Sequence, residues 1–237
     1  MTDTTPEGPA ERLGYTLYAV YRRPELEITG ADVSSGPRTT VGLAERIAAG
    51  ELGRLGVELR GVYDVSGLRA DADLLLWLTG EEPQALQSAV RALRATSEIG
   101  ALLPRWNALG VHREAEFAKD HSPAFMRGLP PKRWLTVYPF VRSHEWYLLP
   151  EEERAAMLRD HGRLGRDFPQ VQANTVASFT LGDYEWLLAL EADELIDLVD
   201  MMRHLRYTDA RRHVREETPF FTGRRIGIDE VREVIGR

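Results

Sequence analysis

The sequence has no cysteine, which excludes disulfides, thiolate metal sites and cysteine nucleophiles. Any metal held directly must rest on His, Asp, Glu or Tyr. Lysine is nearly missing as well: of 30 basic residues only Lys119 and Lys132 are lysine. A GC-rich genome produces that bias as readily as a need for guanidinium forks does. Long apolar runs are lacking, because LLLWL at 74–78 and WLLAL at 186–190 are far too short to span a bilayer. The N-terminal MTDTTPEGPA has neither a basic start nor an apolar stretch. These features predict a cytoplasmic protein with no membrane span and a disordered tail over residues 1–14. There is no dinucleotide or phosphate-loop motif: Gly50, Gly53 and Gly56 in GELGRLG have the wrong spacing and no strand feeding them. Nor is there an HExxH, and His112 and His144 have no partner at a metal-binding spacing. His204 and His213 read as surface residues.

What is present describes a folded chain. With 237 residues, 43% of them hydrophobic and 28% charged, the chain can bury a sizeable core and has the balance of an ordinary globular protein. A net charge of −7 repels polyanions, and no segment interleaves basic and aromatic residues along a groove, so nucleic acid is not an expected partner.

YTLYAVYR (15–22) is aromatic and β-branched and predicts a strand. Residues 37–50 read as weakly helical, and LRGVYDVSGL with DLLLWLTG predicts a hairpin around Arg69 to Ala72. A helix starts near Pro83 with Leu86, Val90 and Leu93 on one stripe, and a strand covers 103–117. After the turn GLPPKRW come a strand at 134–142 and a helix from 151, with three glutamates in its first turn. Strands at 171–181 and 184–191, a helix at 193–206 and a last strand near 217–222 follow. Each half therefore reads β, α, β, β, α, β, the ferredoxin-like order, stated twice. VRALRAT (90–96) and MRHLRYT (202–208) echo each other at equivalent places. The expectation is an α+β protein of two tandem ferredoxin-like halves, 15–117 and 133–237, joined by a loop over 118–132 and closed into a dimeric α+β barrel.

In the strand WLTVYPFVR, alternation puts Trp134, Thr136, Tyr138, Phe140 and Arg142 on one face and the purely apolar Leu135, Val137, Pro139 and Val141 on the other. The Tyr138 face suits a cavity for a flat, apolar ligand bearing a carboxylate, since arginine forks onto carboxylates. The alternative for the strand taken alone is a half-buried sheet face with a snorkelling arginine. On the helix from 151, Met157, Leu158, His161 and Leu164 share a stripe, so His161 faces inward, as a metal ligand or as a hydrogen-bonded core residue. His121 lies in AKDHSPAF, a loop where histidines are mostly solvated.

Together the two ferredoxin-like halves, YPFVRSHEWYLL, RDHGRLGRDF and GDYEWLLALEA resemble the chlorite dismutase superfamily, and within it the coproheme decarboxylases of the actinobacterial type. The resemblance covers residues 15 to about 223. It implies that His161 is the proximal ligand of a haem iron and that Tyr138 is the tyrosine whose radical attacks a propionate. It further implies that His121 is a distal base towards hydrogen peroxide, that Arg142 and Arg206 hold propionates, and that Trp146 lies near the reactive ones. Chlorite dismutases carry an arginine above the iron; here residues 167–202 contain neither arginine nor lysine, and Asn174 or a neighbour takes that place. The implied reaction is peroxide-driven conversion of two propionates of Fe-coproporphyrin III (coproheme) to vinyl groups, giving haem b. A homopentamer and a transient contact with the iron-inserting ferrochelatase are implied with it. The rival readings are a haem peroxidase and a haem carrier on the same fold.

Overall fold

A computed structural model describes residues 13–24, 41–113 and 122–236. The expected tail over 1–14 therefore falls almost wholly outside the described residues, as does His121. The first half runs β1 (Tyr15–Arg22), α1 (Leu43–Ala48), α2 (Glu51–Arg54), β2 (Val57–Asp64), β3 (Leu74–Gly80), α3 (Pro83–Arg94) and β4 (Leu103–Val111). The second runs β5 (Trp134–Arg142), α4 (Glu151–Gly165), β6 (Gln172–Ala177), β7 (Trp186–Ala192), α5 (Leu195–Leu205), β8 (Val214–Glu216), β9 (Phe221–Ile226) and α6 (Val231–Val234). Pro83 opens α3, where a missing N–H costs nothing, and Glu151, Glu152 and Glu153 fill the first turn of α4, where the helix dipole favours acids.

Strand order shows the duplication directly. The first half is ordered β4-β1-β3-β2 and the second β6-β7-β5-β9, the same plan, with every pairing antiparallel. Pairing of β4 with β6 and of β2 with β9 joins the halves into one ring of strands. Some boundaries differ from the sequence reading. The weak helix expected at 37–50 is the short α1, with α2 following it, the second strand of the second half ends at Ala177, and the last strand is β9, four residues later than expected, with the short β8 before it.

Three apolar clusters follow from alternation. Tyr18, Trp77, Leu135, Val137, Leu187 and Phe221 point into the ring and fill it. On the outside, α1, α2, α3 and α6 cover the first half over Leu17, Leu76, Leu86 and Leu93. The outer face of the second half packs more sparingly, with Tyr138, Leu190, Leu198 and Met201 under α5. Solid packing on one half and sparse packing on the other leave room for a cavity in the second.

One ion pair crosses the ring's interior. Arg60 on β2 (3% exposed) donates through Nη2 to Glu191 on β7 (0% exposed) at 2.7 Å, and Asn174 and the Lys132 backbone N–H also donate to that carboxylate. A buried charge stripped of its partner is costly. Arg60→Met is therefore expected to lower unfolding free energy by about 3 kcal/mol in chemical denaturation; a loss below about 1 kcal/mol would show that the amide donors alone carry Glu191.

Candidate functional site

Strand β5 places two of the expected residues, Tyr138 and Arg142, on one face. It is paired with β7 from Trp134 to Phe140, but with β9 only as far as Val137, and β8 joins it again at Val141. The chain between β8 and β9 leaves the ladder opposite Tyr138 to Phe140. Pro139, which has no N–H to donate, falls within that gap. Phe220 and Glu217, on the departing segment, are thereby brought to Tyr138: the Tyr138 and Phe220 rings stack at 4.3 Å, and Glu217 reaches the cavity wall.

The cavity, of about 340 Å³, lies between β5, α4, α5 and the turn after α5. Tyr138, Arg142, His161 and Arg206 all line it, among the apolar side chains of Val171, Leu188, Leu190, Met201, Met202 and Leu205. Trp146 does not line it. That ring is buried behind Arg142, whose guanidinium stacks over it at 4.2 Å. Asn174 is also no part of the wall: fully buried, it accepts from the Phe125 N–H at 2.9 Å and donates to Ala189 and Glu191. Its neighbours Ala173 and Thr175 face the cavity instead, because a strand turns alternate residues to opposite sides.

His161 is half-buried and its Nδ1 lies 3.4 Å from Thr208 Oγ1. The Thr208 hydroxyl donates its own hydrogen to the Leu205 carbonyl at 3.2 Å, so towards His161 it offers a lone pair. That arrangement favours the tautomer with hydrogen on Nδ1 and a free pair on Nε2, the one a metal ligand needs. Burial, and then the Arg142 charge, hold the His161 pKa below its ordinary value.

Tyr138 is 4% exposed, and its phenol donates to Met202 Sδ at 3.4 Å. Burial pushes its pKa up, reinforced by the Glu217 carboxylate and opposed by Arg206 and Arg211. The phenol is thus firmly protonated at neutral pH. Arg142 donates from Nη1 to the Ala210 carbonyl at 3.4 Å, a long bond that leaves most of its fork unspent. Burial lowers its pKa from the usual guanidinium value without discharging it. Arg206 and Arg211 both donate to one oxygen of Glu217, each at 2.6 Å. Two guanidinium groups sharing one carboxylate keep a net positive charge facing the cavity.

The sequence profile of the chlorite dismutase family matches residues 42–226 of the chain. The chain belongs to the chlorite dismutase family. It is 55% identical over 177 residues to a coproheme decarboxylase of Mycolicibacterium smegmatis, covering 74% of this chain and 77% of that protein. Among solved structures it is similar to a doubly substituted chlorite dismutase from Candidatus Nitrospira defluvii, with a TM-score of 0.75 at 20% identity over 94% of this chain and 96% of the other. The imidazole complex of chlorite dismutase from the same organism gives a TM-score of 0.72 at 19% identity over 94% and 95%. At such identity these two speak for the fold.

Within this family member the geometry adds residues that the sequence reading missed. Thr208, Arg211, Glu217 and Met202 all touch the cavity. Thr208 and Arg211 follow Arg206 within LRYTDAR and were legible only as neighbours; Glu217 enters through the gap in the β5 ladder, which no periodicity reports. His112 is buried just after β4, its backbone N–H donating to the Gly14 carbonyl at 2.8 Å, and His144 meets Arg215 at 3.0 Å, both apart from the cavity wall. His204 is paired with Asp167 at 3.0 Å on the surface.

A depressed imidazole pKa has a definite sign. Above about 6.5 the site is neutral in both folded and unfolded chains, and as pH falls below that value the unfolded chain takes the proton first. The His161 contribution to stability is therefore full above the ordinary value and is lost as pH falls towards the lowered one. A two-dimensional NMR titration is expected to place its midpoint below 6.5, and Arg142→Gln should move it upward. A midpoint at or above the ordinary value would contradict the assigned environment.

Proposed function

We infer that this protein is a coproheme decarboxylase, converting two propionates of coproheme to vinyl groups and so making haem b. The observation that carries the reading is that a neutral imidazole and a protonated phenol line one apolar cavity together with guanidinium groups. The donor set fits a ferric porphyrin. Single-imidazole ligation suits an iron that arrives with its own ring of nitrogens, apolar walls suit the macrocycle, and arginines suit its carboxylates. Identity of 55% to the Mycolicibacterium smegmatis enzyme supports the substrate.

Bound coproheme, with hydrogen peroxide, would supply the oxidising power, since each vinyl group formed releases carbon dioxide and two electrons. The protein's residues hold and aim. His161 offers Nε2 to the iron, and Thr208 keeps its Nδ1–H in place. Arg142 and the Arg206–Arg211 pair receive carboxylates, with the Trp146 ring stiffening Arg142 from behind. Tyr138 would give up an electron and its proton to the oxidant and then take a hydrogen atom from the β-carbon of the propionate beside it; loss of the carboxyl group as carbon dioxide would release one further electron, which the same two-electron oxidant would accept. Reacting atoms must come within about 3 to 3.5 Å, so the arginines decide which propionate meets the phenol. For His121 we propose the role of base towards peroxide, a task that suits a near-neutral pKa. A homopentamer, a ferrochelatase contact and a cytoplasmic location belong to the same proposal. Among the described residues no helix is long and apolar enough to cross a membrane.

Mixing the protein with ferric coproporphyrin III, titrating hydrogen peroxide and separating the porphyrins tests the function. Haem b with stoichiometric carbon dioxide is expected; oxidation of an added dye without haem b would identify a peroxidase instead, and unchanged porphyrin a carrier. Tyr138→Phe should still bind coproheme yet lose at least about 100-fold in rate, and normal turnover would remove the radical role. His121→Ala should slow activation at neutral pH and recover in alkali, where hydroperoxide is abundant.

A further inference from the structure

Met202 stands on a partition between two spaces. On one side it lines the cavity of His161 and Tyr138; on the other it lines a groove of about 360 Å³ with Thr136, Val199, Arg206 and Phe220. Its sulfur accepts the Tyr138 O–H at 3.4 Å. Tyr138 has little other freedom, being 4% exposed and stacked on Phe220. A thioether here is an unusual choice of partner: it is a weak acceptor, too weak a base to take the phenol's proton, and it is chemically soft.

We propose that Met202 is a peroxide-reactive modification site, and that its conversion to the sulfoxide resets the hydrogen bond holding the Tyr138 phenol. The sulfur lone pair attacks one oxygen of hydrogen peroxide and the O–O bond breaks. The departing hydroxide takes the proton released by the transferred hydroxyl, leaving methionine sulfoxide and water. Sulfur loses two electrons and peroxide gains the same two. The Tyr138 O–H, already aimed at this sulfur, can donate to the departing oxygen while negative charge develops on it. A thioether sulfur has two lone pairs, so the one that faces the phenol leaves another for attack.

The product differs from the thioether in the property that matters here. A sulfoxide is polar and chiral, and its oxygen accepts hydrogen bonds more strongly than sulfur. Tyr138 would then donate to a fixed S=O group, its ring displaced relative to Phe220 and its hydrogen tied down. The modification is reversible by methionine sulfoxide reductases, so it can report peroxide in excess of substrate and be undone. Its effect on turnover rests on the role proposed above for Tyr138. The oxidation itself does not.

The test uses the full-length, porphyrin-free protein, so that failure of the decarboxylase reading leaves it untouched. Peptide mass mapping after timed exposure to hydrogen peroxide should find Met202 oxidised at least about fivefold faster than Met126 and Met157. Tyr138→Phe should slow oxidation at Met202 and leave the other two unchanged. Oxidation should also shift the Tyr138 ring resonances, a shift absent in the volume-conserving Met202→Leu. Equal rates at the three methionines would overturn the proposal, and so would sulfoxide at Met202 with Tyr138 resonances unmoved.

Discussion

The site depends on the register of a single strand. β5 is fixed on both edges at its start, by β7 and by β9, with Leu135 and Val137 turned into the filled ring. A slip of one residue would turn Tyr138 and Arg142 into that interior and present Val137 and Val141 to α4 and α5. Burying an arginine without a partner costs far more than any local rearrangement returns, so the apolar face locks the functional one. The imidazole of His161 comes from a different element, α4, and Thr208 from the turn after α5; only the layer of helices over β5 brings them to the same space.

Duplication explains why a cavity exists at all. Both halves have the same strand order, and in each the helices cover the outer face of the sheet. Over the first half Leu43, Leu52, Leu86 and Leu93, with Val231 and Ile235 from the chain's end, pack into one buried apolar cluster. In the second, α4 carries few buried apolar side chains, Ala155 among them, and puts His161 and glycines at 162 and 165 against the cavity. A helix with small residues facing the sheet leaves width where the other half has leucines. The same architecture thus packs as solid core on one side and encloses a cavity on the other.

Much of this was legible beforehand. Alternation along WLTVYPFVR gave the faces of β5, and the stripe through His161 gave its inward direction, because both periodicities are local properties of the backbone. The ferredoxin-like order in both halves was legible for the same reason. What escaped depends on pairing across distance. The position of β9, the gap it leaves opposite Tyr138 and the arrival of Glu217 there follow from register between strands far apart in sequence, which no local pattern carries. Trp146 and Asn174 show the limit from another side: neither lines the cavity, and on β6 it is the neighbours of Asn174, Ala173 and Thr175, that do.

The central claim is that a porphyrin occupies the space between α4 and β5 with His161 on its iron and Tyr138 beside one of its acid arms. A crystal structure of the protein with ferric coproporphyrin III tests it most directly. Iron bound by His161 Nε2, carboxylates on Arg142 and Arg206, and the Tyr138 oxygen against the β-carbon of a propionate are expected. Iron held by any other residue, or a macrocycle lodged outside this cavity, would contradict it.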